Sequence, residues 1–311
     1  MYHSDSISWS HHLDSRWKQS AITIAGGNGR GDRLDQLSGP GGICFDEYNQ
    51  IIYIVDNGNH RIIEWKLNAS HGRIVAGGNG RGSRLDQLNQ PTNVVIDRED
   101  DSLIVADYGN RRVMRWSRRN SKHGQIITSG IDCSRLTMHE DGSLYVCDWK
   151  KNEVRRWNKG ETQGILVAGG NGQGSRLNQF DEPAYPFVDE DHTLYVSDSE
   201  NHRVMKWVRG AKEGIVVAGG NDRGSRLTQL ASPRGVVVGQ LGQIYVADFD
   251  NHRVLRWREG VKEGVIVAGG NGEGNGANQL NHPGGLFLDG EGNLYVADWG
   301  NDRIQKFEAI Y

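Results

Sequence analysis

The apolar residues of this chain fall in short runs separated by glycine, asparagine and aspartate. Val236-Val237-Val238 and Val265-Ile266-Val267 are such runs, and Arg253-Val254-Leu255-Arg256-Trp257 alternates polar with apolar. Short β-branched runs and two-residue alternation predict strands, and the residues between them predict tight turns. No segment of useful length carries the 3.6-residue period of an amphipathic helix.

The pattern repeats. A tract of the Tyr-Val-Ala-Asp kind ends at Asp56, Asp107, Asp148, Asp198, Asp248 and Asp298, and a tract beginning Ala-Gly-Gly-Asn starts at Ala25, Ala76, Ala168, Ala218 and Ala268, with a degenerate copy at Thr128-Ser129-Gly130. The six copies are spaced about 50 residues apart, with one interval of about 40. Each copy predicts four strands, A to D: A after a proline or its equivalent, B the Tyr-Val-Ala-Asp tract, C the alternating tract, and D the run before Gly-Gly. Four-stranded units at this period predict an all-β, six-bladed β-propeller of antiparallel blades. The last copy stops at Tyr311 before any strand D, whereas Ile22-Thr23-Ile24 has strand D character and precedes the first A. The N-terminal strand is therefore expected to complete the last blade and leave no open sheet edge. On this reading residues 1–20 are an N-terminal extension and 21–311 the propeller.

The tract Asp-x-x-Asn-His-Arg-Val at Asp198 to Val204 and Asp248 to Val254 resembles the NHL repeat. The resemblance extends from about Ile22 to Phe307 and implies the six-bladed fold. For function it implies a range: protein-binding domains, single-stranded RNA-binding domains, bacterial sensor domains, and an amidating lyase with a three-histidine zinc site in its channel. Function is therefore argued from the site.

Residues that recur in every blade are expected to hold the ring together. Trp65, Trp116, Trp157, Trp207, Trp257 and Phe307 close strand C and are expected to pack between blades. The aspartates ending strand B are expected to accept turn N–H groups and to pair with Arg61, Arg112, Arg203, Arg253 and Arg303, with Glu153 the exception in the third copy. His60, His202 and His252 lie on different blades and predict no shared metal site. The loop GGNGRGSRLDQL has no following helix to hold a phosphate, so its glycines read as turn formers. Leu34/Leu37, Leu85/Leu88 and Leu227/Leu230 read as plugs between blades.

Composition and charge narrow the classes. Hydrophobic residues make up 36% and there are 43 glycines, which excludes a collagen-like or low-complexity chain. Net charge is −3, so only a local patch could attract nucleic acid or an anionic membrane. No apolar stretch is long enough to insert in a membrane and no signal-peptide core is present, which leaves the compartment open. Cys44, Cys133 and Cys147 follow no metal or disulfide spacing and read as buried thiols. Asn68-Ala69-Ser70 is a glycosylation sequon whose use depends on secretion.

Binding requires asymmetry, so departures from the repeat mark candidate sites. Two rings at the start of strand A line the channel mouth. The first reads Gly41, Thr92, Ser134, Ala184, Arg234, Gly284 and the second Gly42, Asn93, Arg135, Tyr185, Gly235, Gly285. Thr92, Asn93, Arg135, Tyr185 and Arg234 therefore stand out, and two guanidiniums suit a carboxylate or phosphate. Pairing with Asp132 or Glu182 is the structural alternative. The residue after the strand B aspartate is aromatic in four copies: Tyr108, Trp149, Phe249 and Trp299, candidate contact anchors on the same face. The third copy lacks the Gly-rich loop, which predicts a notch beside Arg135 and Trp149.

A basic run, Arg111, Arg112, Arg115, Arg118, Arg119 and Lys122, is followed by Lys150 and Lys151 in the next copy. With Trp149 nearby it supports an RNA-binding alternative. The first ring contains no histidine, so the zinc site that the lyase resemblance would imply has no ligands there. No cofactor, metal site or catalytic residue is expected. The sequence predicts a non-enzymatic scaffold whose mouth face binds a protein, a peptide or a small anionic ligand. Single-stranded RNA binding is the first alternative, and an enzyme with a non-standard channel site is the second.

Overall fold

The computed structural model describes residues 16–119 and 122–310. It contains six four-stranded antiparallel sheets and one two-stranded ribbon. In the fifth blade the strands are Pro233–Val238, Ile244–Asp248, Arg253–Trp257 and Val265–Gly269, from A to D. The innermost A strands contact one another around a closed circle, blade 6 meeting blade 1 through Pro283–Leu288 and Pro40–Asp46. Blade 6 takes its fourth strand from the N-terminus: Ile22–Gly26 pairs antiparallel with Arg303–Phe307, Ile22 opposite Lys306. The chain thus closes its ring as the repeat order predicts.

Arg16–Trp17, within the predicted extension, pairs with Ala309–Ile310. Trp17 is buried between blades 5 and 6, edge-on to Tyr245 at 5.5 Å, and its indole N–H donates to the Gly292 carbonyl at 3.0 Å. The remainder of the extension, residues 1–15, lies outside the described residues.

The core is divided into layers between blades. Strand B is buried along its whole length in each blade, as in Leu194–Asp198 and Leu294–Asp298, because both faces of a blade are covered by neighbours. The strand C aromatic is 5% exposed or less in all six blades. Burying a ring of that size contributes on the order of 4 kcal/mol before ordering costs. The leucine plugs hold by half. Leu37, Leu88 and Leu230 are wholly buried, while Leu34, Leu85 and Leu227 are 41%, 46% and 40% exposed. The turn between them points its first leucine outward. Cys133 and Cys147 are buried as expected, and Cys44 is half-buried.

Candidate functional site

Strand B ends and strand A begins at one end of the channel, so the D–A loops and B–C turns surround one mouth. Each B–C turn is fixed by the strand B aspartate. Asp248 Oδ1 accepts the Ala231 N–H at 2.7 Å, and its Oδ2 accepts Asn251 Nδ2 at 2.9 Å and Arg253 Nε at 2.7 Å. Arg253 then donates to the carbonyls of Ser225, Arg226 and Gln229 in the Gly-rich loop. The same pattern recurs at Arg61, Arg112, Arg203 and Arg303, each binding the loop that leads into its own blade. The histidines of the repeat have a different duty. Nδ1 of His60, His202 and His252 accepts the N–H of Gln90, Ser232 and His282 in the next blade.

Blade 3 departs from this frame in a connected way. Its short entry loop offers no carbonyl cradle, and Glu153 replaces the arginine. Lys151 replaces the asparagine and lies 3.7 Å from Asp148, while Glu153 turns to Arg155 at 2.6 Å. Asp148 Oδ2 is left without a hydrogen-bond partner. Asn152 replaces the histidine and keeps its task, its Oδ1 accepting the Glu182 N–H at 3.0 Å. The residues that served the missing loop have changed, and the one that serves the next blade is still an acceptor.

Arg135 and Arg234 both stand at the mouth, near enough for the charge of one to act on the other. Arg135 is half-buried, lies 5.2 Å from the centre of the Tyr185 ring and donates through Nη1 to the Thr92 carbonyl. Arg234 is half-buried and stands 5.4 Å from the Phe249 ring centre. Neither forms an ion pair among the described residues; Asp132, the nearby acid, is taken by Arg111 at 2.8 Å. Enclosure by protein, together with the Arg234 charge, pulls the Arg135 guanidinium down to about 10, against the favourable influence of Tyr185. Burial also raises the Tyr185 phenol above its ordinary value. The glycines of blade 1 make room for this arrangement. A side chain on Gly41 would crowd, at 3.1 Å, the Thr92 carbonyl to which Arg135 donates, and one on Gly42 would overlap Asn93.

The aromatics form two pairs on opposite sides of the mouth. Tyr108 and Trp149 stand 6.3 Å apart in blades 2 and 3, and Phe249 and Trp299 6.1 Å apart in blades 5 and 6. His282 joins the second pair, 4.7 Å from Phe249 and 6.2 Å from Trp299. Burial raises the Tyr108 phenol, as do Asp132 and Glu182, while Arg234 opposes the shift. In the remaining blades, 1 and 4, Asn57 and Ser199 occupy the position and bond to the next blade's proline carbonyl at 2.8 Å.

Two expected ring residues lie deeper than a surface contact would. Asn93 is 2% exposed, its Nδ2 donating to the Leu136 carbonyl at 2.5 Å, and Tyr185 is 6% exposed. They support the mouth from below, between the A strands; in blade 4 strand A bulges between Pro183 and Tyr185. Thr92 Oγ1, Asn93 Oδ1 and Trp149 Nε1 are buried polar atoms without a hydrogen-bond partner, and all three lie around this mouth. Such atoms are uncommon and call for an explanation.

The basic run is engaged in ion pairs along most of its length. Arg111 pairs with Asp132, Arg112 with Asp107, Arg115 with Asp97 and Asp100, Arg118 with Asp46 and Asp101, and Arg119 with Asp101. The acids come from other turns, Asp46 from another blade, so the run's own sequence does not display them. Arg112 is buried in its blade's frame, and Lys151 leans on Asp148. The RNA alternative thereby loses most of the free guanidiniums it requires.

The profile of the NHL repeat matches residues 230–257 and 280–307. With six blades built on the same frame, the chain is a six-bladed β-propeller that carries NHL repeats in its last two blades. An auxiliary nutrient binding protein from Bacteroides thetaiotaomicron superposes with a TM-score of 0.72 at 18% identity, covering 94% of this chain and 77% of that one. A gluconolactonase from Xanthomonas campestris gives 0.63 at 15% identity over 89% and 88%. A streptogramin B lyase gives 0.59 at 9% identity over 95% and 98%. At these identities the likeness is one of fold. No curated protein matches the sequence. No described helix is long and apolar enough to cross a membrane.

Sequence reasoning passed over one cluster. His139, Asp141 and His192 come together on the opposite face. Among the A–B turns of blades 3 to 6 both histidines are departures from the repeat.

Proposed function

We propose that this propeller is a binding module whose mouth face takes a carboxylate-bearing partner, either a protein or peptide segment or a small organic anion. The observation that carries the reading is the two arginines Arg135 and Arg234: half-buried, backed by Tyr185 and Phe249, and ion-paired to no acid among the described residues. Desolvated guanidiniums favour planar, doubly bonded recognition of carboxylates. The two aromatic pairs would flank a ligand seated between them and supply its apolar contacts. A binding role is preferred to an enzymatic one because the first ring carries Gly41, Thr92, Ser134, Ala184 and Gly284 beside Arg234. These offer no imidazole or carboxylate at that level for acid–base or metal chemistry.

The test is an array of short peptides displayed with free and with amidated C-termini, together with di- and tricarboxylates scored by thermal shift. The reading expects hits that depend on the free carboxylate and that are lost in the Arg135→Met, Arg234→Met double variant. Hits that ignore both the carboxylate and the two arginines would overturn it.

A further inference from the structure

The channel's other mouth is ringed by the A–B turns, and blades 3 to 6 share one turn length. Their first positions read His139, Asp189, Gly239 and Asp289, and their fourth positions Gly142, His192, Gly242 and Gly292. The fourth position has a left-handed backbone in every case, with φ of +81°, +59°, +75° and +77°. Three blades place glycine there, the residue this conformation favours. Blade 4 places His192, in a backbone conformation that side chains other than glycine adopt at a cost. Blade 3 places His139 where blades 4 and 6 have an aspartate that closes its own turn. Both departures occur in adjacent blades, and they meet.

The imidazoles stack at 3.8 Å between centres, inclined by 25°. His139 Nδ1 lies 2.8 Å from Asp141 Oδ1, and His192 Nε2 lies 3.4 Å from Asp141 Oδ2. The other nitrogen of each ring is held from behind. His139 Nε2 donates to the Glu190 carbonyl at 3.2 Å, and His192 Nδ1 is 2.8 Å from the Tyr145 hydroxyl. With those nitrogens carrying the protons, the lone pairs of His139 Nδ1 and His192 Nε2 face the same carboxylate. A long 3.2 Å bond from the Asp141 N–H is the one donor shown at His139 Nδ1.

We propose that His139, Asp141 and His192 bind a first-row divalent cation of the zinc type at the junction of blades 3 and 4. Two imidazoles and a carboxylate are a borderline donor set suited to such ions. Ligand atoms about 2.0–2.1 Å from a tetrahedral zinc stand roughly 3.3 Å apart, and one ligand atom from each of the three residues lies within 4.8 Å of the other two. The Glu190 carbonyl and the Tyr145 hydroxyl are the outer partners that fix ring orientation in metal sites. His139 also lines a cavity of about 700 Å³ whose wall includes Glu140, Asp189, Glu190 and Asp191. The acids favour cations electrostatically, and the exposed Asp141 carboxylate leaves the cluster open to solvent. This site is independent of the carboxylate site at the opposite mouth.

The experiment titrates chelator-stripped full chain with Zn²⁺ against a chromogenic chelator, and in parallel with Co²⁺ followed by visible absorption. His192→Gly restores the residue that blades 3, 5 and 6 carry, so its fold is not at risk. We expect one equivalent bound at micromolar concentration or tighter, d–d bands from Co²⁺, and a zinc-dependent rise in Tm. In His192→Gly and in Asp141→Asn we expect at least a tenfold weaker affinity and no Co²⁺ bands, and in His192→Gly an apo-protein Tm no lower than that of the parent. Failure to bind zinc at that concentration would overturn the proposal. So would undiminished binding in both variants, which would assign the metal to other histidines of the chain.

Discussion

Asp248 and Arg253 lie five residues apart on adjoining strands and are joined at 2.7 Å with almost no exposure to solvent. The same arginine holds three carbonyls of the loop that enters the blade. One side chain therefore fastens turn, strand and loop. Arg253→Met should lower stability by about 3–5 kcal/mol, because it leaves a buried carboxylate without its partner. Arg253→Lys should rescue little of that, since a lysine cannot reproduce the planar fork. Urea denaturation followed by tryptophan fluorescence measures both.

The frame also predicts a coupling in blade 3. Glu153→Arg alone gains no carbonyl cradle, and grafting the loop of blade 5 before Cys133 alone presents carbonyls to a glutamate. Each change should be neutral or destabilising. Combined, they should exceed the sum of the separate effects by about 1 kcal/mol or more, as expected of groups in one network. Additive effects in equilibrium unfolding would show that loop and arginine are unconnected.

Much of this frame was legible in the chain. Trp65 to Phe307, the aspartates of strand B and the closing strand at Ile22 recur or complete a count, and recurrence reports packing directly. Arg135 and Arg234 could be found because they break the recurrence. What could not be read was partnership across blades. Arg118 meets Asp46, 72 residues away, and nothing in the run 111–122 signals it. Depth was equally hidden: Asn93 and Tyr185 break the repeat just as the half-buried Arg135 and Arg234 do, yet both are buried. His139 and His192 were readable in principle, since each breaks the pattern of the A–B turns.

Arg118 offers a pH-dependent test of the engaged basic run. Burial works against ionisation of Asp46, but hydrogen bonds from Asn49 and the Arg118 cation outweigh it and hold the carboxyl below its ordinary 3.8. A carboxylate with a depressed native pKa adds stability above the unfolded value, and that stability is lost as pH falls through the native one. Arg118→Met should therefore be less stable than the parent by about 1–2 kcal/mol at pH 7. The gap should narrow as pH falls below 3.8 in acid titrations of unfolding. A gap independent of pH would mean that Arg118 acts through packing on Tyr53 alone.

Arg135 is expected to trade stability for binding. A desolvated cation without a carboxylate is unfavourable to the folded state, and an apolar side chain of similar length removes that penalty. Arg135→Met should raise stability by about 1 kcal/mol, or roughly 2–4 °C in Tm. A lower Tm would show that its bond to the Thr92 carbonyl and its stacking on Tyr185 outweigh the burial of charge.

The measurement closest to the central claim is calorimetric titration of the tightest carboxylate probe into the parent, Arg135→Met and Arg234→Met proteins at fixed ionic strength. Each lost charged hydrogen bond should weaken affinity by about 10- to 100-fold, with the folded state intact. Equal affinity in all three proteins would show that the mouth arginines do not contact the ligand.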